Sequence, residues 1–342
     1  MNIISDTFPV VRLLRWIPLA IFVILILIFA TLSNQFFTMA NLGAILVQSS
    51  WLVALAVGVN FVLLASGVDL SVGSGMYLAA VAVCLALAHQ PVWLCVGGAL
   101  VVGSLLGVLN AGLIAWLGLP AFIVTLASLF IGRGMGLFFS STRIVYASSS
   151  VAGFGRRALL HIPLAIWLAS SAVCAAWILL NRTPFGSYVR SIGADAEGAR
   201  RAGVPARGTT LSVYILCGAF AGLGGFISLS QTSAASGAFG QNAEFLAIAA
   251  AVLGGTSLFG GRGNVWAPVI GSILITTVQN GLAMIDANPY AYPVIAGCVI
   301  FLAALLDSGR SRLQGRLERR NTRAESGAPG PTIDAIPTSA SR

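Results

Sequence analysis

The sequence predicts an all-α fold, a polytopic membrane helix bundle with about ten transmembrane helices. Three observations lead there. Of the 342 residues, 57% are hydrophobic and only 8% are charged, whereas soluble domains carry about 25% charged residues. So few charges could not cover a water-soluble globule of this length. Apolar runs recur at about the 20 residues that a helix needs to cross a bilayer, and a helix satisfies its own backbone groups in lipid. Finally, most of the charges fall between the runs.

Taken in order, the spans are expected at 14–32, 43–66, 73–88, 91–118, 120–140, 162–181, 210–230, 244–260, 265–284 and 291–306. The first is not a removable signal peptide, because it lacks a small-residue cleavage site and further spans follow. The third and eighth are short, which leaves re-entrant or broken helices open at both. GALVVGSLLGVLNAG and CGAFAGLGG, in the fourth and seventh spans, are rich in small residues, which let helix backbones approach closely. DLSVGSG and SLFGGRG faintly echo one another, as internal repeats do, although a shared need for a tight turn explains the likeness equally well.

Around this 14–306 membrane domain, residues 1–13 are expected as a cytoplasmic N-terminal segment and 182–208 as the long cytoplasmic loop. Residues 307–342 are expected as a basic, partly disordered cytoplasmic tail. Its end, APGPTIDAIPTSASR, cannot bury enough apolar surface to fold.

Every one of the 19 basic residues is arginine. With the N-terminus in the cytoplasm, Arg12, Arg15, the five arginines between 182 and 208, Arg262 and seven in the tail lie inside. Arg143, Arg156 and Arg157 lie outside, and Arg133 falls within a span. That bias places both termini in the cytoplasm. The net charge of +9 therefore reports topology, and no nucleic-acid partner is expected, since the arginines are not interleaved with aromatics on one surface. Cys84, Cys95, Cys174, Cys217 and Cys298 lie in apolar runs without ligand spacing and read as packing residues. His89 and His161 lie at span ends, far apart in the chain. Neither a metal nor another cofactor is implied.

The stretch SGVDLSVGSG (66–75) interrupts this pattern between two apolar runs. Gly67, Gly73 and Gly75 allow a break or sharp turn, and Asp69 and Ser71 can cap the helix that follows. A carboxylate at a helix centre in lipid costs on the order of 3 kcal/mol, so Asp69 must face protein, a watery cavity or the cytoplasmic surface. The turn Gly67, Asp69, Leu70, Ser71, Gly73 is read as a capped turn between the second and third helices, or as one that also lines or gates a pathway.

SGVDLSVGS resembles the signature of the ribose-type, simple-sugar ABC importer permeases. Three later stretches resemble that family's blocks in the same order: LNAGLIAWLGLPAFIVTLASLFIGRG (109–134), FGSYVRSIGADAEGARRAGV (185–204) and EFLAIAAAVLGGTSLFGGRGNVWAPVIGSILI (244–275). Departures are Val68 for a glycine, Asp195-Ala-Glu-Gly in the loop, and Trp266-Ala. The resemblance, nearest the ribose and galactofuranose branch, implies a bacterial inner-membrane permease importing a monosaccharide. It also implies partners: a separate ABC ATPase subunit, a periplasmic sugar-binding protein and a second permease chain, identical or not.

The residues support that reading independently. Within 194–203, Asp195 opens a two-turn helix, Ala196, Ala199 and Arg200 lie along it, Gly203 ends it and Pro205 follows. Its charges match the helix dipole. So short a helix needs a partner to hold it, as expected of a helix that couples to an ATPase. The chain itself has no lysine, so it has no phosphate-cradling GxxxxGK[ST] loop and is not expected to be an enzyme.

The uncharged polar residues Gln48, Asn60, Asn110, Thr125, Gln279 and Asn280 suit a neutral polyhydroxylated solute, or else tie helices together. Arg133 is expected to snorkel or pair near the outer surface, and Glu244 to favour a helix N-terminus. Arg143, Arg156 and Arg157 are candidates for docking the binding protein. The main competing reading is a proton-coupled secondary transporter, with Asp69 and Glu244 as the relay. An intramembrane enzyme would need paired acids, a metal site or an activated nucleophile, and none is evident.

Overall fold

The computed structural model describes residues 17–288 and isolated positions between 294 and 301. The expected tenth span, the N-terminal segment 1–13 and the tail 307–342 lie outside the described residues, apart from those isolated positions. The fold is an all-α membrane bundle. Among the described residues, six helices are long and apolar enough to cross a membrane: α2 (Met39–Leu64), α4 (Val92–Ala115), α5 (Ala121–Phe139), α7 (Leu164–Arg182), α10 (Ala206–Thr232) and α12 (Trp266–Met284). They are joined by α1 (Ile17–Leu32) and by two short apolar helices, α3 (Val72–Leu85) and α11 (Ala243–Leu253).

Local chemistry sets the helix starts. Thr38 caps α2, its side chain accepting from the Asn41 amide. Pro91, Pro120 and Pro163 immediately precede α4, α5 and α7, where a residue without an amide hydrogen costs no helical bond. Helix α2 is apolar all round, and every residue from Leu52 to Leu64 is buried. It is the central post of the bundle. On α4, by contrast, Trp93, Val101, Leu105 and Leu109 are exposed, as lipid or a second chain would allow.

The closest helix pair is α4 with α10. Gly103 and Gly107 of GSLLG face Gly218 and Gly222 of GAFAG, so that two GxxxG patterns lie against each other. A methyl group on Gly103 would overlap the Gly218 carbonyl, and one on Gly222 would overlap the Ala99 carbonyl. With no hydrophobic drive between helices in lipid, such close backbone packing supplies the attraction.

Helices α3 and α11 have 14 and 11 residues, which at 1.5 Å per residue is about 21 Å and 16 Å, short of the roughly 30 Å hydrocarbon core. They are broken spans. Ser74 in the first turn of α3 donates to the Ser128 carbonyl, placing that end beside the middle of α5. Gly73 packs against Glu244 in the first turn of α11, so the two half-helices meet N-terminus to N-terminus inside the bundle.

Two small ends complete the fold. At one, β1 (Val145–Tyr146) pairs antiparallel with β4 (Ala234–Ala235). Beside this pair lie α6 (Ser149–Arg156) and the hairpin of β2 (Ala158–Leu159) with β3 (Ile162–Pro163). At the other, α8 (Pro184–Ala194) and α9 (Ala196–Arg201) form the long loop. The echo between DLSVGSG and SLFGGRG has no structural counterpart: the first leads into a half-helix inside the bundle, and the second is a loop between α11 and α12.

Candidate functional site

The break before α3 is built from a hydrogen-bond chain. Asp69 Oδ1 accepts from the Ser71 amide at 2.9 Å and from the Ser71 hydroxyl at 2.6 Å. Asn110 of α4 donates Nδ2 to Ser71 Oγ at 2.7 Å, and its Oδ1 accepts from the Ser128 hydroxyl of α5. Asp69 is 1% exposed. Its Oδ2 is buried without a hydrogen-bond partner, and the carboxyl lies beside the Cys217 thiol of α10. Tyr214 of α10 donates to the Val68 carbonyl at 3.2 Å, and Leu70 is buried. One carboxylate thus organises four elements.

This corrects the expectation that Asp69 and Ser71 cap the following helix. The left-handed residue of the turn is Ser66, with φ 60°, and no glycine of the stretch has positive φ. Ser66 and Gly67 close a Schellman motif on α2, their amides bonding the Leu63 and Val62 carbonyls. Gly67 is held there by close approach to the Tyr214 hydroxyl, while Gly73 and Gly75 lie within α3. Ser71 occupies the N-cap position but its side chain does not cap. It is committed to Asp69 and Asn110, and Asp69 binds the Ser71 amide rather than the helix's first turn.

The residues read as candidates for a translocation path make hydrogen bonds within the chain, two of them between helices. Asn60 accepts from Thr256 at 2.6 Å and donates to the Asn264 carbonyl. Asn280 and Asn41 exchange two 3.0 Å bonds between α12 and α2. Thr125 donates to the Ala121 carbonyl, and Asn110 serves the Asp69 chain. All four are buried and hydrogen-bonded within the chain; Gln48 is exposed and Gln279 half-buried.

At the α8–α9 end three of the four sequence blocks meet. The Leu64 carbonyl at the end of α2 accepts from the Gly261 amide at 3.0 Å, and Ser66 donates to the Phe259 carbonyl. Gly193 at the end of α8 packs so tightly there that a methyl group would overlap the Leu64 carbonyl. Asp195 Oδ1 caps α9 by accepting from the Glu197 and Gly198 amides, each at 3.0 Å. Gly203, at φ +83°, ends α9 in a Schellman motif with Ala199 and Arg200. Asp195, Ala196, Arg200 and Gly203 are exposed, whereas Ala199 is buried against its own chain. Ala199 therefore anchors α9 and is not part of its free face, which corrects its expected role.

Sequence reasoning missed α8. Its signal was a Thr183-Pro184 start followed by Phe185, Val189 and Ile192 at helical spacing. At the opposite end Arg143, Arg156 and Arg157 are all exposed. Their loop is firmly seated, because Val151 is fully buried and Phe154 meets Phe226 of α10 edge-on at 5.4 Å. Arg133 neither snorkels nor makes a salt bridge among the described residues. It donates to the carbonyls of Gly237, Phe239 and Gly240. Glu244 occupies the expected first turn of α11. Cys84, Cys95 and Cys217 are buried packing residues, but Cys174 is exposed.

Comparison with known proteins follows this geometry. The profile of the family described as "Branched-chain amino acid transport system / permease component" matches residues 41–304, a stretch that holds the break, the loop helices and both half-helices. The chain belongs to this permease family. It is 34% identical over 291 residues to the ribose import permease protein RbsC of Escherichia coli K12, covering 83% of this chain and 91% of that protein. It is 35% identical over 291 residues to the D-allose transport system permease protein AlsC of the same strain, covering 84% and 89%. It is 32% identical over 312 residues to that strain's galactose/methyl galactoside import permease protein MglC, covering 84% and 93%. No solved structure matches. This permease is a multi-pass membrane subunit and not itself an enzyme.

Proposed function

We propose that the chain is the permease subunit of a bacterial ABC importer that carries a monosaccharide across the inner membrane. The observation that carries this reading is the junction at the α8–α9 end. There a short capped helix with an exposed face is welded through Gly193 to the end of α2 and to the 254–264 loop. A push on α9 from a separate ATPase subunit would reach the break at Asp69 through packed backbone rather than flexible side chains. The three relatives named above are permeases for ribose, allose and galactose, which supports a sugar over the branched-chain amino acids of the family's description.

The same reading places α8 and α9 in the cytoplasm with both termini, and the β1–β4 end outside, where Arg143, Arg156 and Arg157 would meet a periplasmic sugar-binding protein. Arginine forks pair well with carboxylates. The exposed apolar faces of α4 and α5 leave room for lipid and for a second permease chain.

The test is solute uptake into proteoliposomes holding the permease with its ATPase and binding protein. Ribose, allose, galactose and leucine would be offered separately. ATP-dependent accumulation of one sugar is expected; accumulation of leucine alone would overturn the sugar assignment.

A further inference from the structure

Residues 236–242 connect β4 to α11 by turning inward from the β1–β4 end to the middle of the bundle. Three of their carbonyls, from Gly237, Phe239 and Gly240, accept from one guanidinium, Arg133 of α5. That guanidinium also lies over the Tyr77 ring of α3, 5.4 Å from its centroid, and Tyr77 is tied to Ser140 at the end of α5. Just beyond the segment, Glu244 presses against Gly73 at the start of α3. Glu244 is 4% exposed, and its Oε2 is buried without a hydrogen-bond partner. Arg133 thus holds the segment across the meeting point of the two half-helices, where the Gly240 carbonyl also packs against Gly73.

The segment is also wired to the outer loop. Val145 and Tyr146 pair with Ala235 and Ala234, and Ala147 donates to the Ser233 carbonyl at 3.0 Å. Any displacement of loop 141–161 therefore pulls directly on the strand that enters the segment. The arginine fork is held by three replaceable carbonyl bonds, with the Glu244 carboxylate in electrostatic reach but not in a salt bridge to it among the described residues, so release breaks only hydrogen bonds that can re-form.

We propose that Arg133 is a positioning residue for transport: it latches residues 236–243 over the N-terminal ends of α3 and α11 as a gate, which is released through the β1–β4 pair when a partner engages the outer loop. This rests on the importer reading above, and the two can fail separately.

The experiment uses the complete complex in proteoliposomes, with labelled ribose as probe. Wild type must first show ATP-driven ribose uptake; if it does not, the importer reading fails or the sugar is wrong, whatever the latch does. Two readouts then follow, passive efflux of preloaded ribose without ATP and stimulation of ATP hydrolysis by the binding protein. Arg133→Gln removes charge-assisted bonds and should raise the open population by on the order of tenfold. Efflux should rise accordingly, and ATP hydrolysis should lose its dependence on binding protein. Arg133→Lys, which keeps the charge but not the fork, should fall between.

A second variant covers the case in which Arg133→Gln does not fold. The Cβ direction of Gly237 points at Leu137 of α5, 2.9 Å from its Cδ2, so Leu137→Cys with Gly237→Cys replaces the clash with two neighbouring thiols. Crosslinking them, with the two single substitutions, which keep the native cysteines, as controls, should stop ATP-driven uptake, and reductant should restore it. Uptake that continues with the segment crosslinked to α5 would overturn the proposal. So would a folded Arg133→Gln with wild-type efflux and wild-type stimulation.

Discussion

Replacing Asp69 separates two accounts of the break between α2 and α3. Its Oδ1 accepts from the Ser71 amide and hydroxyl. Asp69→Leu would leave both donors buried and unpaired, at about 1–3 kcal/mol each, or about 2–6 kcal/mol together. That is a large fraction of the roughly 5–15 kcal/mol that keeps a typical domain folded. Asp69→Asn keeps a carbonyl oxygen in the Oδ1 position. Its NH2, which carries two N–H donors, would occupy the Oδ2 position, which already lacks a partner, so the cost is one unsatisfied group, about 1–3 kcal/mol, against two for Asp69→Leu. Thermal unfolding in detergent should rank wild type above Asp69→Asn and Asp69→Leu lowest. Uptake at matched expression should follow the same order. An Asp69→Asn protein as stable as wild type yet as inactive as Asp69→Leu would refute the geometric account, since only the ability to carry a proton would then distinguish the two residues.

The loop helices and the outer loop give further tests. Arg200→Glu on the exposed face of α9 should weaken coupling, read as lost stimulation of ATP hydrolysis, with unfolding temperature unchanged. Ala199→Trp, buried at 7% exposure, should lower the unfolding temperature itself, because overpacking a tight site costs about 1–3 kcal/mol. Gly193→Ala should likewise destabilise the junction, since its methyl group meets a backbone carbonyl that cannot rotate away. Replacing Arg156 and Arg157 together with Glu should slow association of the binding protein and flatten or invert its salt dependence, screening acting over about 8 Å at physiological ionic strength. Basal ATP hydrolysis should stay at the wild-type level; unchanged association at low salt would remove these arginines from the dock.

Much of the fold was legible because span length and polarity are read directly from residue type. The ends of α5, expected at 120–140 and found at Ala121–Phe139, follow from Pro120 and the apolar run. The α9 helix was legible for a similar reason, since Asp195 and Gly203 carry capping chemistry in their own sequence. The broken spans were visible only as short runs. The residues of α11 are as apolar as those of a full crossing, and the inward turn before it depends on Arg133, about a hundred positions earlier in the chain. The fates of Asn60 and Asn280 were hidden likewise. An amide's partner is chosen by tertiary pairing, here with Thr256 and Asn41, and nothing in residue type separates a pathway lining from a tie. The cap before α3 was misread because Ser71 is a good capping residue by type, while its hydroxyl is taken by Asp69 and Asn110, a pairing only the tertiary fold sets.

The central claim, that a separate ATPase drives this chain through α9, is tested most directly by the energy source of uptake. Proteoliposomes with the complete complex would be given either ATP inside or an imposed proton gradient, with vanadate as inhibitor. The account predicts sugar accumulation that requires ATP, stops with vanadate and ignores the proton gradient. Accumulation driven by the proton gradient in proteoliposomes lacking the ATPase would contradict it.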